Sequence, residues 1–183
     1  ALMVGASDAA NVDTVIATAS GALGAAIGVV TNIITTDHST GVVVTGTSTD
    51  KSSLTGTSVS VDADAKEGIS SLLIAASGAQ YAAVSASVNV NRQLSDVSAA
   101  VDQTEVLGSF AQNANYLGRI TTSAITAAGS QYAAVPISVV INYADNAVSS
   151  SVAHSILRAE GQSASVGANR ISEFSSLNVT ASG

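Results

Sequence analysis

Residues 78–84 read GAQYAAV, and residues 129–135 read GSQYAAV, 51 positions later. The similarity continues beyond this motif, because the alternating residues that follow it align as Val84, Ala86, Val88 and Val90 with Val135, Ile137, Val139 and Ile141. A weaker copy begins at Gly21, 57 positions before Gly78. Self-similarity at such spacings is typical of repeat architectures.

The end of the repeat unit recurs as well. Residues 4–21 and 166–183 are 18-residue segments with glycines in register, and they end in ATASG and VTASG. The chain therefore divides into the end of one unit (1–20), three whole units (21–77, 78–128 and 129–182) and the first residue of another (183). We expect one solenoid segment of a longer array, unless neighbouring subunits cap its ends.

Alternation with period two predicts β-strands inside each unit. Residues 58–65 and 84–90 alternate valine or alanine with serine, aspartate or asparagine, the pattern of half-buried strands rich in β-branched residues. Clusters of Asn, Asp, Gly and Ser between such runs are typical of turns. Pro136 interrupts one run and cannot donate to a ladder, so we expect it at an edge, a bulge or a corner.

Stacked units predict a parallel β-solenoid, because one thin unit cannot bury its apolar face alone. The alignment predicts an inward column of Ile27, Val84 and Val135. It also predicts an aromatic ladder of Tyr81 with Tyr132 and an amide ladder of Asn91 with Asn142. We interpret each unit as about two rungs with variable loops. The alternative fold is a small antiparallel β-sandwich or roll for each unit.

Composition excludes several classes of function. The net charge is −7, only 10% of residues are charged, 46% are hydrophobic, and there is no cysteine. Six Lys and Arg residues are too few for a phosphate-binding surface, and a disulfide scaffold is impossible. The most apolar stretch, residues 21–30, is about half the length of a membrane span. We therefore expect no nucleic-acid partner and no membrane span.

Candidate chemistry is sparse. His38 and His154 lie apart from any nucleophile–base pattern, and we expect them in loops or at the surface. No phosphate-binding loop or zinc-hydrolase motif occurs. Asp62, Asp64 and Glu67 form a short acidic cluster and are the calcium candidates, although a solvated turn accounts for them better. We predict no catalysis, no cofactor and no metal beyond this weak calcium candidate.

The opening GAQYAAVSASVNVN at 78–91 and the closing VTASG at 179–183 resemble repeats of giant bacterial surface adhesins. These are the filamentous-haemagglutinin and leukotoxin-like passenger proteins of autotransporter and two-partner export. The first unit departs from the pattern, with Leu23-Gly24 where the others have Gln-Tyr. The resemblance implies a right-handed parallel β-helix at the bacterial surface or in a secreted filament. It further implies a structural stalk or filament segment that supports adhesion or matrix assembly.

The expected partners are neighbouring copies or flanking repeats of the same protein, and host glycan or a cell surface. The alternative function is a ligand-binding face for a glycan, a host surface or ice. The ice hypothesis comes from the threonine pairs Thr45/Thr47 and Thr122/Thr126. A polysaccharide-degrading β-helix enzyme is a third hypothesis, disfavoured because the six basic residues are scattered.

The strand prediction can be checked by far-ultraviolet circular dichroism. We expect a β-dominated spectrum, because every unit alternates with period two. A helix fraction above about one third, the average for globular proteins, would contradict the assignment.

Overall fold

The computed structural model describes residues 1–159 and 162–183. Eight strands account for most of these residues, and no helix occurs among them. The strands are β1 Leu2–Ala22, β2 Ala25–Thr45, β3 Ser52–Ala79, β4 Ala82–Asp102, β5 Thr104–Ser130, β6 Ala133–Ala153, β7 Ile156–Arg158 and β8 Ala164–Ser182. Within the described part of the chain, no helix is long and apolar enough to cross a membrane.

The strands form two sheets in which every pairing is parallel. In sheet A, β1, β3 and β5 are neighbours, and β5 pairs with β7 and then with β8 along its other edge. Sheet B has the order β2-β4-β6. Because the chain alternates between the sheets, it winds as a parallel β-solenoid. The predicted all-β parallel fold is confirmed, and the antiparallel sandwich or roll is wrong. Pro136 lies in β6, an edge strand of sheet B, as predicted.

Each repeat unit is one rung and not two. Leu2 pairs with Val59, Val59 with Phe110, and Phe110 with Ala164, so successive rungs are offset by 57, 51 and 54 residues. These offsets equal the spacings between the repeat motifs. The two-rung interpretation is wrong because the strands are much longer than average. A strand of 21 residues spans about 70 Å, so one strand in each sheet uses most of a unit.

The two ends of a rung differ. At one end, two-residue turns at 23–24, 80–81 and 131–132 connect sheet A to sheet B. At the other end, the connections from sheet B to sheet A vary from Gln103 alone to the six residues 46–51. We call the parts of the strands next to these two ends the turn half and the loop half. The differences in unit length arise in the loop half.

The main apolar core lies in the loop half. Its largest cluster is formed by the buried side chains of Val42, Leu54, Val59, Val61, Val101, Val106 and Phe110, contributed by both sheets. The outward positions of β3 and β4 near this core include Asp62, Asp64 and Asp96, whose side chains point away from it. The alternation of apolar and charged residues thus fixes which face of each strand is inside.

A single irregularity in the β3–β5 pairing adjusts the register in the loop half. The pairing shifts between Thr55 and Ser58, where Gly108 has a φ of 122°. A Cβ atom at Gly108 would lie 1.8 Å from the carbonyl oxygen of Gly56. This position therefore requires glycine both for its φ and for the close approach of the backbones.

The predicted inward column exists, but it faces outward. Ile27 pairs with Val84, and Val84 pairs with Val135. However, Ile27 is 69% exposed, Val135 is 46% exposed, and Val84 is only partly buried. Inward and outward positions alternate without interruption along the strands of sheet B. In β4 the inward positions are the odd-numbered ones, which include the core residues Val97 and Val101. We call the odd or even position of a residue along its strand its parity. Ser85 and Ser87 share that parity and occupy the interior.

A pair of aspartate substitutions tests this assignment of faces. Val101→Asp should lower the free energy of unfolding by about 3–5 kcal/mol, because it places an unpaired carboxylate in the core. Val135→Asp should lower it by about 1 kcal/mol or less, because its carboxylate stays in water. Urea denaturation at low protein concentration measures both. A larger loss for Val135→Asp than for Val101→Asp would reverse the assignment of faces.

Candidate functional site

The turn half carries no charge. Residues 14–36, 68–91, 120–144 and 174–183 contain no Asp, Glu, Lys, Arg or His. The parallel register places these stretches beside one another in both sheets. All charged side chains therefore belong to the loop half, and the molecule is divided into a charged and an uncharged part.

The outer face of sheet B in the turn half is apolar, and we call it the apolar strip. Eleven of its twelve outward positions are aliphatic, and the twelfth is threonine. The strip consists of Ile27, Val29, Thr31 and Ile33 in β2, Val84, Ala86, Val88 and Val90 in β4, and Val135, Ile137, Val139 and Ile141 in β6. Ile33 is 70% exposed and Ile137 is 48% exposed. Such a contiguous apolar surface usually marks an interaction site.

The opposite outer face, on sheet A, is apolar with smaller side chains. Its larger exposed members are Val15, Ile125, Leu177 and Val179. Five of the outward positions around them are alanines, namely Ala17, Ala19, Ala76, Ala127 and Ala181. The turn half is thus a two-layered slab with apolar outer surfaces, of which the strip on sheet B has the larger side chains.

Between these faces lies a hydrogen-bonded polar network. Asn91 donates from Nδ2 to Thr122 Oγ1 and to Asn142 Oδ1, both at 2.9 Å. Asn89 Nδ2 donates to Ser71 Oγ at 2.7 Å. Asn89, Asn91, Ser71 and Thr122 are buried, with their polar groups paired within and between the sheets. Satisfied polar groups of this kind can occupy an interior without a large desolvation penalty.

Both ladders drawn from the repeat alignment lie in the turn half. The rings of Tyr81 and Tyr132 stack with centroids 5.5 Å apart and planes inclined by 14°. Asn91 and Asn142 are register partners joined by the hydrogen bond described above. At the boundary with the loop half, the Arg92 guanidinium lies 5.6 Å from the centroid of Tyr143. Aromatic contacts therefore lie at both ends of the apolar strip.

Glu67 is the centre of a second polar cluster, at the middle of the rung. Its side chain is buried and faces sheet B. Thr36 Oγ1 and Tyr116 OH each lie 3.4 Å from Oε2, and Ser95 Oγ donates to Oε1. The Nδ1 atom of His38 is 3.5 Å from Oε1. Hydroxyl donors from three strands thus surround one carboxylate in the interior.

Tyr116 owes its place in this cluster to Gly118. A Cβ atom at Gly118 would lie 2.4 Å from the Tyr116 hydroxyl, so glycine leaves the space that the ring fills. Burial raises the pKa of Tyr116 from 10.0 to about 12, and the charge of Glu67 acts in the same direction. The phenol therefore stays neutral and can donate to Glu67 or to Gln93 Oε1, which is also 3.4 Å away.

The three calcium candidates do not form one site. Asp62 and Asp64 point outward, where they accept hydrogen bonds from Asn113 and Asn115 at 2.9 and 2.8 Å. Glu67 differs from them in parity along β3 and points inward. Among the described residues, no three histidine or acidic side chains lie close enough together to hold a metal ion. The acidic cluster of the sequence is thus divided between the two faces of sheet A.

The histidines occupy different environments. His154 lies at an exposed turn with a φ of 49°, and its Nδ1 is 3.0 Å from Asp102 Oδ1. His38 was expected in a loop or at the surface, but it lies within β2 and is partly buried beside Glu67. The expectation for His38 is wrong because β2 continues through it with the same inward parity as Thr36.

The threonine pairs do not form one surface. Thr45 and Thr47 are exposed near a loop, whereas Thr122 and Thr126 are buried between the sheets. Thr122 bonds to Asn142, and Thr126 bonds to Ser87. The second pair therefore cannot contribute to an ice-binding face.

Sequence reasoning missed two features of the turn half and its boundary. It assigned the strip to the interior, and it grouped Glu67 with Asp62 and Asp64. A usable signal exists for both. Glu67 shares parity with Val59, Val61 and Ile69, and the charge-free stretches are visible in the printed sequence.

Comparison with protein-family models, curated proteins and solved structures finds no match to this chain.

The Tyr116 environment predicts a specific alkaline response. Between pH 10 and 12 the unfolded chain releases this phenol proton while the folded chain keeps it. The free energy of unfolding should therefore fall with pH across this window, by about 2–3 kcal/mol. The Tyr116→Phe variant should lack this part of the fall in the free energy of unfolding. Urea denaturation from pH 9 to 12, with tyrosinate absorbance, compares the two proteins. Equal pH dependence in both would contradict the assignment.

Proposed function

We propose that this chain is a non-catalytic structural segment of an exported bacterial surface protein. In this proposal its rungs belong to a longer stalk or filament that supports adhesion or extracellular matrix. Its partners are flanking rungs or neighbouring copies of the same protein, together with a host glycan or cell surface. The resemblance to adhesin repeats supports the location, and the form of the solenoid supports the structural role.

The observation that carries the proposal is that the edge strands at both ends of the solenoid are uncovered. β1 and β2 form the edge strands at one end, and β6 and β8 form them at the other, with no described residue covering either end. β1 and β8 also lie in the same sheet and carry the shared segments 4–21 and 166–183. β1 and β8 thus occupy equivalent positions in different rungs of sheet A, as stacked copies of one repeat unit do.

Interior contacts support continuation as well. Phe174 and Val166 of β8 occupy inward register positions, yet they are 53% and 47% exposed. Among the described residues, sheet B covers β8 from one side only, through β6, which bonds to it at Asn146 and Ser138. Asn142 and Ser138 of β6 bond to the rung below through Asn91 and Ser87. Another strand on β6 would cover the phenylalanine and extend these columns. Long exposed edges are otherwise avoided in isolated domains.

The dimensions favour a broad, blade-like filament. Each rung of 51–57 residues adds about 4.8 Å of length, while the strands span about 70 Å across. Every rung is joined to the next by two long parallel ladders, so many backbone hydrogen bonds hold each step. Such an array supplies stiffness and a large surface rather than an enclosed pocket.

Electron microscopy tests the proposal at two levels. Antibodies raised against this chain, detected with gold on intact cells of the producing bacterium, should label the surface or material extending from it. Negatively stained native material should show ribbons about 70 Å wide. An antibody against a cytoplasmic protein is the matched control and should label only broken cells.

Two results would overturn the proposal. Label confined to broken cells would remove the surface location. Compact particles without a ribbon in the native material would remove the filament role.

A further inference from the structure

We infer that the apolar strip on sheet B is an interface with a second copy of this chain, packed face to face. This inference depends on the solenoid and its register and not on where the protein is located. It concerns lateral pairing of two solenoids, which is distinct from the continuation of rungs at the ends.

The size of the strip is that of a weak lateral interface, which grows with the number of rungs. With strands about 4.8 Å apart and a rise of about 3.3 Å per residue, it covers roughly 400 Å² in projection. Two such faces would bury roughly 800 Å², which is less than the roughly 1,000 Å² that a stable interface usually exceeds and corresponds to a weak one. Each added rung extends the strip by roughly one third. Pairing should therefore be weak for three rungs and strong for a longer array.

The regularity of the strip makes it complementary to itself. Ile27, Val84 and Val135 form one column, and the next outward columns repeat this alignment. The second copy has the same spacing between columns and between strands. Side chains of one strip can therefore enter the gaps of the other, as in packed sheets about 10 Å apart. A two-fold axis in the plane of contact relates the copies.

The distribution of charge selects this part of the surface. Each chain carries a net charge of −7, so two copies repel each other over most of their surface. The strip lies within the uncharged turn half, where two copies can approach without burying an ion. In the loop half, the same face of sheet B presents the exposed carboxylates of Asp37, Asp96 and Asp145.

Those carboxylates also determine the relative orientation. If the strands of the two copies ran in the same direction, the acidic loop halves would lie opposite each other. If they run in opposite directions and overlap only at the strip, the loop halves extend away from each other. The antiparallel arrangement avoids placing like charges together, and it brings the Tyr81–Tyr132 end of one strip to the Arg92–Tyr143 end of the other.

A lipid surface fits the strip less well than a second copy does. In this chain without further rungs, the strip is bordered by β2 and β6, whose outer edges have unpaired backbone groups. Hydrocarbon cannot satisfy such groups. In a face-to-face pair these edges stay open to water or to further rungs.

Sedimentation equilibrium of the whole chain tests the interface. The substitutions are placed in the central strand β4, so that the edge strands at both ends stay unchanged. The wild type should show a monomer–dimer equilibrium between about 1 µM and 1 mM. Val88→Lys places a charge in the centre of the strip and should raise the dissociation constant at least about tenfold. Ala100→Lys is the matched control, outward on the same strand in the loop half, and should change it less than about twofold. Val88→Ile should retain the dimer, and circular dichroism should show equal folding.

The chain lacks cysteine, so single cysteines can report the orientation. Ala86→Cys lies near the centre of the strip and should form disulfide-linked dimers on mild oxidation. Ala100→Cys should stay monomeric if the strands are antiparallel. Crosslinking of Ala100→Cys as efficient as that of Ala86→Cys would overturn the antiparallel arrangement.

Three outcomes would overturn the interface itself. One is a wild type that stays monomeric at about 1 mM. Another is an equal loss of dimer in Val88→Lys and Ala100→Lys. The third is binding to phosphatidylcholine vesicles that Val88→Lys abolishes, which would assign the strip to lipid. A failure here would leave the surface labelling and the ribbon unaffected, so the two proposals fail separately.

Discussion

The unbroken alternation of long strands is the constraint on which this structure depends. Each strand of sheet B continues for 21 residues, and one parity therefore governs both of its halves. In the loop half this parity is decided by the aspartates, because burying Asp37, Asp96 or Asp145 without a partner would cost several kcal/mol each. The opposite parity would also expose the loop-half core residues Val97 and Val101, at about 1.5–3 kcal/mol each, and this adds to the cost of burying the aspartate. The loop half therefore determines which side chains of the turn half point outward.

The composition of the turn half follows from that constraint. Asn89, Asn91 and Ser87 on the inward parity can be buried because they bond to Ser71, Thr122 and Thr126 across the sheets. Valines and isoleucines on the outward parity form the apolar strip. The buried Glu67 marks the boundary, where hydroxyl groups surround one carboxylate. Stability and interaction surface are thus two consequences of the same alternation.

The register between rungs connects the fold to assembly. Offsets of 57, 51 and 54 residues align like residues in columns, which stacks Tyr81 on Tyr132 and links Asn91 to Asn142. In the array that we propose, the same alignment would make the strip continuous from rung to rung. End-to-end growth would use backbone hydrogen bonds, and the proposed lateral pairing would use aliphatic side chains. Because the two proposed contacts use different surfaces, they are compatible with each other.

The repeat motif by itself determined the strands, the parallel stacking and the pairing of residues between rungs. Those features depend on local alternation and on spacing along the chain, which a sequence displays directly. The number of strands per unit and the direction of the column Ile27–Val84–Val135 were decided only by the tertiary structure. Local pattern places Val84 inside, since serine alternates with it. Only the continuous strand from Ala82 to Asp102 gives Val84 the outward parity of Asp96, which is opposite to that of the core residue Val101. The burial of charge is a property of the whole rung, and it outweighed the local preference of its valines.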